Sequence, residues 1–247
     1  MAEQAEAAVN KGDHIMLYAT IRTLSERKTN PNRPPRSDAS RFVSSQAGNI
    51  DLCIKDYSTP ENVMKYEANA QAMEYKAPVY CVQMLAGIFV HAKEYVRVLD
   101  LASGPGQVGE ELSRHGFENV HAHDGSCAML DVCRRKKVYS KFICSVINDD
   151  TRLPVKNGFY DAVVTSGAVL ENHLPVSALA EIIRVTKSGG FCIVAYSADI
   201  LSTNYGKSWE KEIQRLEEDG LWSRHCKVLI PNFYINTRGV VDVLQVA

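Results

Sequence analysis

The segment Val98-Leu-Asp-Leu-Ala-Ser-Gly-Pro-Gly-Gln-Val-Gly109 is the strongest structural signal in this chain. A short apolar run precedes a glycine-rich turn, and residues with helical periodicity follow it, so the stretch predicts a strand, a turn and a helix. Gly104 and Gly106 let the backbone of the turn approach a ligand closely, and the helix presents free N–H groups at its N-terminus. We therefore expect a ligand-binding loop here.

The alternation of strand and helix continues along the chain. Strands are predicted at 96–101, 120–123, 141–146, 160–165 and 191–196, and helices at 107–115, 126–137 and 176–185. This pattern predicts an α/β, Rossmann-like doubly wound sheet that is mostly parallel, with helices on both faces. A helix containing Trp209 follows, and two last strands at 227–230 and 240–246 have no helix between them, which predicts an antiparallel end to the sheet.

Two regions differ in composition. Residues 1–50 are rich in Pro, Ser, Asn and Arg between positions 28 and 48 and bury too little apolar surface to fold alone, which predicts a flexible N-terminal arm with a possible helix at 13–26. Apolar periodicity begins after that and predicts helices at 57–74 and 79–91. We therefore expect one folded domain at 51–247, preceded by the arm.

The composition excludes several classes of protein. The chain has 247 residues, of which 45% are hydrophobic, and a net charge of −1, so no global charge attracts nucleic acid or an anionic membrane. The longest apolar stretch is well short of the roughly 20 residues that cross a bilayer. Seven scattered cysteines without a C-x-x-C pair predict reduced thiols and no metal site. With no leader pattern at the N-terminus, we expect a cytoplasmic protein.

The loop fits two kinds of ligand. Gly104, Gly106 and Gly109 match the dinucleotide fingerprint, and Asp124 lies 20 residues after Gly104, where an acid reaches a ribose. However, Asp100 places a carboxylate at the mouth of the loop, and this would repel a pyrophosphate but attract an ammonium group. The pattern therefore favours a cationic sulfur nucleoside, and an NAD-dependent oxidoreductase is the minor alternative.

Six segments together resemble a known superfamily; they are Leu99-Asp-Leu-Ala-Ser-Gly-Pro-Gly, His123-Asp-Gly-Ser-Cys-Ala-Met-Leu, Phe159-Tyr-Asp-Ala-Val-Val, Ser166-Gly-Ala, Leu179 to Gly190 and Pro231-Asn-Phe-Tyr. From about Tyr57 to the C-terminus the chain resembles the class I S-adenosylmethionine-dependent methyltransferases. Within them it is most similar to the methyltransferase-like family named after the Williams-Beuren syndrome region. The resemblance implies a seven-stranded sheet and S-adenosyl-L-methionine as the cofactor.

The resemblance also implies roles for residues around the cofactor. Asp100, Ala102, Gly104 and Gly106 would surround the methionine moiety, with Ala102 where the superfamily more often has glycine. Asp124 would bind the ribose hydroxyls, Gly125 and Met129 would contact the adenine, and Asp149 with the Asp150 amide would bind the adenine edge. Ser166 belongs to the same set. Tyr57 and Tyr66 are similar to an aromatic pair that closes over the cofactor, although their spacing is longer by about a turn.

The segment Thr165-Ser-Gly-Ala-Val-Leu-Glu-Asn-His-Leu-Pro175 follows the fourth strand and should form one wall of the acceptor pocket. An amine or hydroxyl acceptor must lose a proton, and Glu171 and His173 are the candidate bases, with a loop cap or helix start as the alternative role. The segment lacks the Asn/Asp-Pro-Pro-Tyr/Phe pattern, which disfavours a nucleic-acid base as acceptor. We expect a small-molecule acceptor, with a protein side chain as a further possibility and a cofactor-binding module without catalysis as the alternative function.

Overall fold

The computed structural model describes residues 50–148 and 150–247. Its seven α-helices are α1 (Ile50–Asp56), α2 (Pro60–Ala72), α3 (Ala77–Ile88), α4 (Gln107–Arg114), α5 (Cys127–Lys136), α6 (Ala178–Val185) and α7 (Asn204–Glu218). Its seven strands are β1 (Val98–Leu101), β2 (Val120–Asp124), β3 (Lys141–Cys144), β4 (Tyr160–Ser166), β5 (Thr186–Ser197), β6 (Trp222–Tyr234) and β7 (Thr237–Val246). The predicted arm and its helix lie outside the described residues.

The seven strands form a single sheet in the order β3-β2-β1-β4-β5-β7-β6. The first five strands in this order, β3, β2, β1, β4 and β5, pair in parallel with their neighbours. Strand β7 runs antiparallel to both β5 and β6. The order reverses between β1 and β4, and a ligand crevice is expected beyond the carboxyl ends of the strands at such a point. The predicted fold class, including its antiparallel end, is confirmed.

Two hydrophobic cores lie on the two faces of the sheet. On β1, Val98 packs into the core under α3 and α4, whereas Leu99 and Leu101 pack into the core under α6 and α7. Successive side chains of a strand point to opposite faces, so a run that is buried throughout must be covered on both sides. This double cover fixes the carboxyl end of β1, from which the glycine-rich loop emerges.

Element boundaries follow local capping chemistry. Ser126 caps α5 as the sequence indicates, because its Oγ accepts a hydrogen bond from the Met129 amide at 3.3 Å. The helix predicted from Tyr57 begins instead at Pro60, since Thr59 is its N-cap and Pro60 occupies its first turn. Tyr57 therefore lies in the turn between α1 and α2. Helix α1 was not predicted from the sequence.

The fifth strand begins earlier than the predicted position 191, and Gly189 and Gly190 lie inside it. Strand β5 already begins at Thr186, and the pairing with β4 skips from Thr186 to Phe191. The two glycines lie within this irregularity, where Gly189 has a φ of +74° and a Cβ on Gly190 would come within 2.9 Å of the Asp161 carbonyl oxygen. They form a bulge in a long strand, a position that glycine commonly takes.

The cysteines also differ from the prediction of reduced thiols. Cys127 and Cys144 form a disulfide, whereas Cys53, Cys81, Cys133 and Cys192 are buried free thiols. The pair comes together because Asp124 and Cys144 are partners in the β2–β3 ladder, which brings the first residue of α5 next to the end of β3. Among the described residues, no helix combines the length and apolarity needed to cross a membrane. A cytoplasmic location stays a prediction.

Candidate active site

A crevice opens at the carboxyl ends of β1 to β4. Its floor contains Ala102, Gly104, Asp124, Gly125 and Met129, and Ser166 lies on the wall beyond β4. Tyr66 lines the crevice as well. Seven of the eleven residues predicted to bind the cofactor therefore lie together in this crevice.

The glycine-rich loop has left-handed backbone at three positions. Ala102, Gly104 and Gly106 have φ values of +55°, +53° and +94°. Gly104 faces open space, since a Cβ there would have only the Tyr66 hydroxyl within 4.0 Å, whereas a Cβ on Gly106 would meet Cys133 and Tyr139. Gly104 therefore provides room for a ligand, and Gly106 is needed for packing behind the loop rather than for the crevice itself.

Asp100 does not line the crevice. Its side chain is buried behind the loop, where Oδ2 accepts a hydrogen bond of 2.6 Å from the Tyr139 hydroxyl. Burial raises the pKa of Asp100 to about 7, so much of its negative charge is lost near neutral pH. The same Tyr139 hydroxyl accepts a hydrogen bond from the Gly109 amide. Asp100 and Gly109 thus hold the loop from behind, with Tyr139 between them.

Asp124 joins the loop to the next strand. Its Oδ2 accepts a hydrogen bond from the Gly104 amide at 2.8 Å, and its Oδ1 accepts one from the Ser126 amide at 2.8 Å. Burial raises the pKa of Asp124 to about 6, although both amide bonds oppose the increase. Each carboxylate oxygen retains a further lone pair, so Asp124 can still accept hydrogen bonds from ligand hydroxyl groups.

Two buried polar atoms on the crevice wall have no hydrogen-bond partner within the described structure. They are Nε2 of His123 and Oγ of Ser145. Burial lowers the pKa of His123 to about 4, so its ring is neutral. Buried polar groups are normally paired, and these two atoms therefore indicate that the crevice is shaped for a ligand with polar groups near the ends of β2 and β3.

The segment after β3 does not confirm the predicted contacts of Asp149 and Asp150 with the adenine edge. Asp149 lies outside the described residues. Asp150 is exposed and away from the crevice, and its amide donates a hydrogen bond of 2.9 Å to Oδ1 of Asn148. Val146 and Ile147 line the crevice instead. Apolar side chains, rather than the Asp150 amide, form this part of the wall.

Helix α1 and the turn after it cover the crevice. Ile54 lies so close to Gly125 that a Cβ there would come within 2.9 Å of Ile54 Cδ1. The Tyr57 carbonyl accepts a hydrogen bond of 3.0 Å from the Ser126 hydroxyl, which ties this cover to the N-terminus of α5. The rings of Tyr57 and Tyr66 meet edge to face with centroids 6.0 Å apart. The aromatic pair thus lies at the crevice despite its longer spacing.

His173 lies at the far end of the crevice with a fixed tautomer. Its Nδ1 is 3.1 Å from the Glu171 carbonyl oxygen, and a carbonyl oxygen can only accept a hydrogen bond, so Nδ1 carries the proton. Nε2 therefore has the free lone pair and accepts from the Tyr57 hydroxyl at 3.0 Å, with Cys53 Sγ at 3.6 Å. Burial lowers the pKa of His173, which keeps the ring neutral.

The Glu171 side chain is exposed and takes no part in the crevice wall. Of the two candidate bases, only His173 lines the crevice, and Glu171 contributes its carbonyl oxygen as the group that orients the ring. Ser166 also lies on this wall, where its Oγ is 2.6 Å from the Tyr75 hydroxyl. Asp124 is the only residue of the described lining that carries a full charge at neutral pH.

Comparisons with known proteins identify the chemistry of this crevice. A family model described as a methyltransferase domain matches residues 99–194, the segment that contains the loop, Asp124 and β4. Methyltransferase-like protein 27 from Homo sapiens is 29% identical over 180 residues, which cover 73% of each chain. A demethylmenaquinone methyltransferase from Renibacterium salmoninarum is 40% identical over 99 residues, which cover 40% of each chain.

The chain therefore contains a methyltransferase domain, and its fold is that of the class I S-adenosylmethionine-dependent methyltransferases. Solved structures agree in fold. A chain of the complex between the Trm112 methyltransferase activator and a methyltransferase of Haloferax volcanii has a TM-score of 0.58 at 15% identity, over 77% of this chain and 96% of that one. A TehB-like S-adenosylmethionine-dependent methyltransferase from Corynebacterium glutamicum has a TM-score of 0.53 at 15% identity, over 76% of this chain and all of that one.

The crevice of the methyltransferase fits its cofactor. Gly104 leaves open space for it, the remaining lone pairs of Asp124 and the unpaired atoms of His123 and Ser145 could bind its polar groups, and Met129 offers an apolar surface that suits a purine. The position of His123 directly before the predicted ribose acid was the only sequence signal for its place in the crevice.

No sequence motif indicated that Cys53 and Tyr57 contact His173, at the end of the crevice where the methyl acceptor is expected, here called the acceptor half. They lie 120 and 116 residues before His173 in the sequence. Cys53 is buried, and burial together with Asp56 and Asp124 raises the pKa of its thiol to about 11. Cys53 therefore stays a neutral thiol beside the neutral His173 ring, and the two do not form an ion pair.

Proposed function

We propose that this methyltransferase methylates the hydroxyl group of a neutral, apolar small molecule, with His173 as the general base. The observation that carries the proposal is the fixed tautomer of His173, whose Nε2 lone pair faces a crevice with a single charged residue in its described lining. A base is needed by acceptors that must lose a proton, such as hydroxyl groups and amines, and such a group would replace the Tyr57 hydroxyl as the donor to Nε2.

The cofactor half is proposed to hold S-adenosylmethionine through a small set of residues. Asp124 would accept hydrogen bonds from the ribose hydroxyls, while Met129 and Gly125 would contact the adenine. Ala102 and Gly104 would lie against the methionine moiety. The bound sulfonium supplies an already activated methyl group, so the chief task of the protein is to orient the acceptor, and orientation alone can contribute roughly 7–11 kcal/mol to lowering the barrier.

The lining of the acceptor half favours an uncharged acceptor. Leu170, Leu174 and Ala168 form its apolar wall, with Tyr57 and Tyr234 as aromatic surfaces. No lysine or arginine of the described residues lines the crevice to pair with a carboxylate or phosphate. An alkylamine is cationic at neutral pH and would lack a carboxylate other than the one reserved for the ribose. These features support a neutral hydroxyl compound.

His173 also favours an acidic hydroxyl group. A phenol or enol has a pKa near 10, much closer to that of an imidazole than the pKa of an alkyl alcohol, so its proton moves more readily to Nε2 during transfer. Such a hydroxyl would take the place of the Tyr57 hydroxyl on Nε2. The bacterial relatives named for demethylmenaquinone support an apolar ring compound as substrate but not the choice of a hydroxyl acceptor, and they match only about 40% of this chain.

A panel of matched acceptors tests the proposal. The full chain is incubated with methyl-labelled S-adenosylmethionine and with neutral phenols and hydroquinones, their carboxylated analogues, alkylamines, a mixed peptide library and RNA. We expect label only in the neutral hydroxyl compounds. Label in the carboxylated compounds, amines, peptides or RNA would overturn the assigned acceptor class. Tight binding of S-adenosylhomocysteine without label in any class would favour the cofactor-binding module without catalysis.

A further inference from the structure

Two of the seven cysteines lie exposed beside the cofactor crevice. Cys127 and Cys144 form a disulfide with a Cα–Cα distance of 5.6 Å, while four other cysteines are buried and Cys226 is half-buried on β6. Exposure makes this pair accessible to thiols in solution, whereas burial protects the others. All seven cysteines fall within the described residues.

Cys127 is attached to the residues that form one rim of the crevice. It is the first residue of α5 and directly follows Ser126, whose amide donates to Asp124 and whose hydroxyl donates to the Tyr57 carbonyl. A shift of the first turn of α5 would therefore alter both the predicted ribose acid and the cover formed by α1.

Cys144 is attached to the opposite rim. It is the last residue of β3, and Ser145, Val146 and Ile147 follow it directly and line the crevice. The β2–β3 ladder ends at the pair of Asp124 and Cys144, and one further backbone hydrogen bond, from the Ser145 amide to the Asp124 carbonyl at 3.2 Å, follows it. The disulfide is the covalent link at the point where the ladder stops.

We propose that Cys127 and Cys144 are a redox modification site that sets the cofactor affinity of the methyltransferase. The co-reactant is a thiol reductant, either a monothiol such as glutathione or a protein dithiol. Two thiol groups, from two monothiol molecules or from one dithiol, supply two electrons and two protons, so the S–S bond breaks, both cysteines become thiols and the two reductant sulfurs join in a disulfide. The reverse exchange restores the link.

The direction of the effect follows from preorganisation. The disulfide holds the N-terminus of α5 and the exit of β3 at a fixed separation, so the oxidised protein loses less conformational freedom when the cofactor binds. Reduction removes this covalent constraint and leaves only hydrogen bonds between the two rims and Asp124. We therefore expect the oxidised form to bind S-adenosylhomocysteine about three- to tenfold more tightly. This inference depends on the cofactor and does not depend on the acceptor or on His173.

Calorimetric titration of the full chain with S-adenosylhomocysteine tests the site. One sample is oxidised with glutathione disulfide, one is reduced with a phosphine, and one is reduced and then re-oxidised. Alkylation in denaturant followed by mass spectrometry reports the state of each cysteine. We expect tighter binding in the first and third samples, with Cys127 and Cys144 protected from alkylation only there.

Variants locate the effect. Cys144→Ser and Cys127→Ser should bind with the affinity of the reduced wild type in every sample, whereas Cys226→Ser, a free cysteine on β6, should keep the full response. Equal affinity of oxidised and reduced wild type would overturn the proposal, and that comparison needs no variant to fold. A disulfide that never forms, or a response that persists in Cys127→Ser, would overturn it as well.

Discussion

The two halves of the crevice are built in different ways. The cofactor half consists of backbone and short-range contacts, such as the bonds from the Gly104 and Ser126 amides to Asp124, which lie 20 and 2 residues from it. The acceptor half consists of side chains from distant segments, because Tyr57 and His173 are 116 residues apart. The first half is thus set by the fold, and the second is free to vary with the substrate.

The largest expected effect lies in the acceptor half. His173→Gln removes the basic nitrogen but keeps a polar side chain, so turnover of a hydroxyl acceptor should fall about 100- to 10,000-fold. Affinity for S-adenosylhomocysteine should change by less than about twofold, since no cofactor contact is expected there. Because burial lowers the pKa of His173, the wild-type rate should be constant above pH 7 and fall only in acid, below the ordinary pKa of 6.5.

The matched control is Glu171→Gln. The Glu171 side chain is exposed and only its carbonyl oxygen contacts His173, so this variant should turn over at the wild-type rate. If Glu171→Gln loses as much activity as His173→Gln, the general base is wrongly assigned. A single-turnover measurement of label transfer distinguishes the chemical step from product release.

A smaller effect is expected in the cofactor half. Asp124→Ala should weaken binding of S-adenosylhomocysteine by about 1–3 kcal/mol, because two hydrogen bonds to a carboxylate are lost. The pKa of Asp124 in the free protein is about 6, and bound hydroxyl donors favour the carboxylate. Wild-type affinity should therefore be full above pH 6 and decrease as the pH falls through 6, whereas the variant should lack this dependence.

Asp150→Ala is the control for Asp124. Its side chain is exposed and outside the crevice, so calorimetry should show wild-type affinity. A melting temperature for each variant separates loss of ligand contact from loss of the loop that Asp124 orders through Gly104. Unchanged affinity in Asp124→Ala would mean that the ribose does not bind there.

The cofactor half could be predicted from the sequence because its signals are local. The strand-turn-helix stretch, the acid after β2 and the cap at Ser126 each depend on residues close together in the chain, and local chemistry decides their conformation. The exception is Asp100. Its place on β1 suggested contact with an ammonium group, but the Tyr139 hydroxyl, which follows 39 residues later, draws its carboxylate behind the loop.

The acceptor half could not be predicted in the same way. The contacts of Cys53 and Tyr57 with His173 depend on how α1 lies across the crevice, and no periodicity or spacing contains that information. The disulfide has the same origin, since Cys127 and Cys144 meet only through the register of β2 against β3. Long-range packing decides these contacts, whereas pattern reasoning detects only local preference.

The smallest effect contrasts two alanines with the same backbone conformation. Ala102 on the crevice floor and Ala92 on the exposed turn before β1 both have a φ of +55°. Left-handed backbone costs alanine about 1–2 kcal/mol, and glycine relieves it but adds about 0.4–1 kcal/mol of unfolded-state entropy. Ala102→Gly and Ala92→Gly should therefore each raise the free energy of unfolding by up to about 1 kcal/mol.

Ligand binding separates the two variants. Ala102→Gly also removes a methyl group from the crevice wall and loosens the loop, so calorimetry should show a change of up to about threefold in affinity for S-adenosylhomocysteine. Ala92→Gly should leave affinity unchanged, because Ala92 does not line the crevice. If both variants changed the affinity for S-adenosylhomocysteine equally, backbone strain would act through overall stability. The backbone amides of the loop would then position the ligand, and position 102 would tolerate either alanine or glycine.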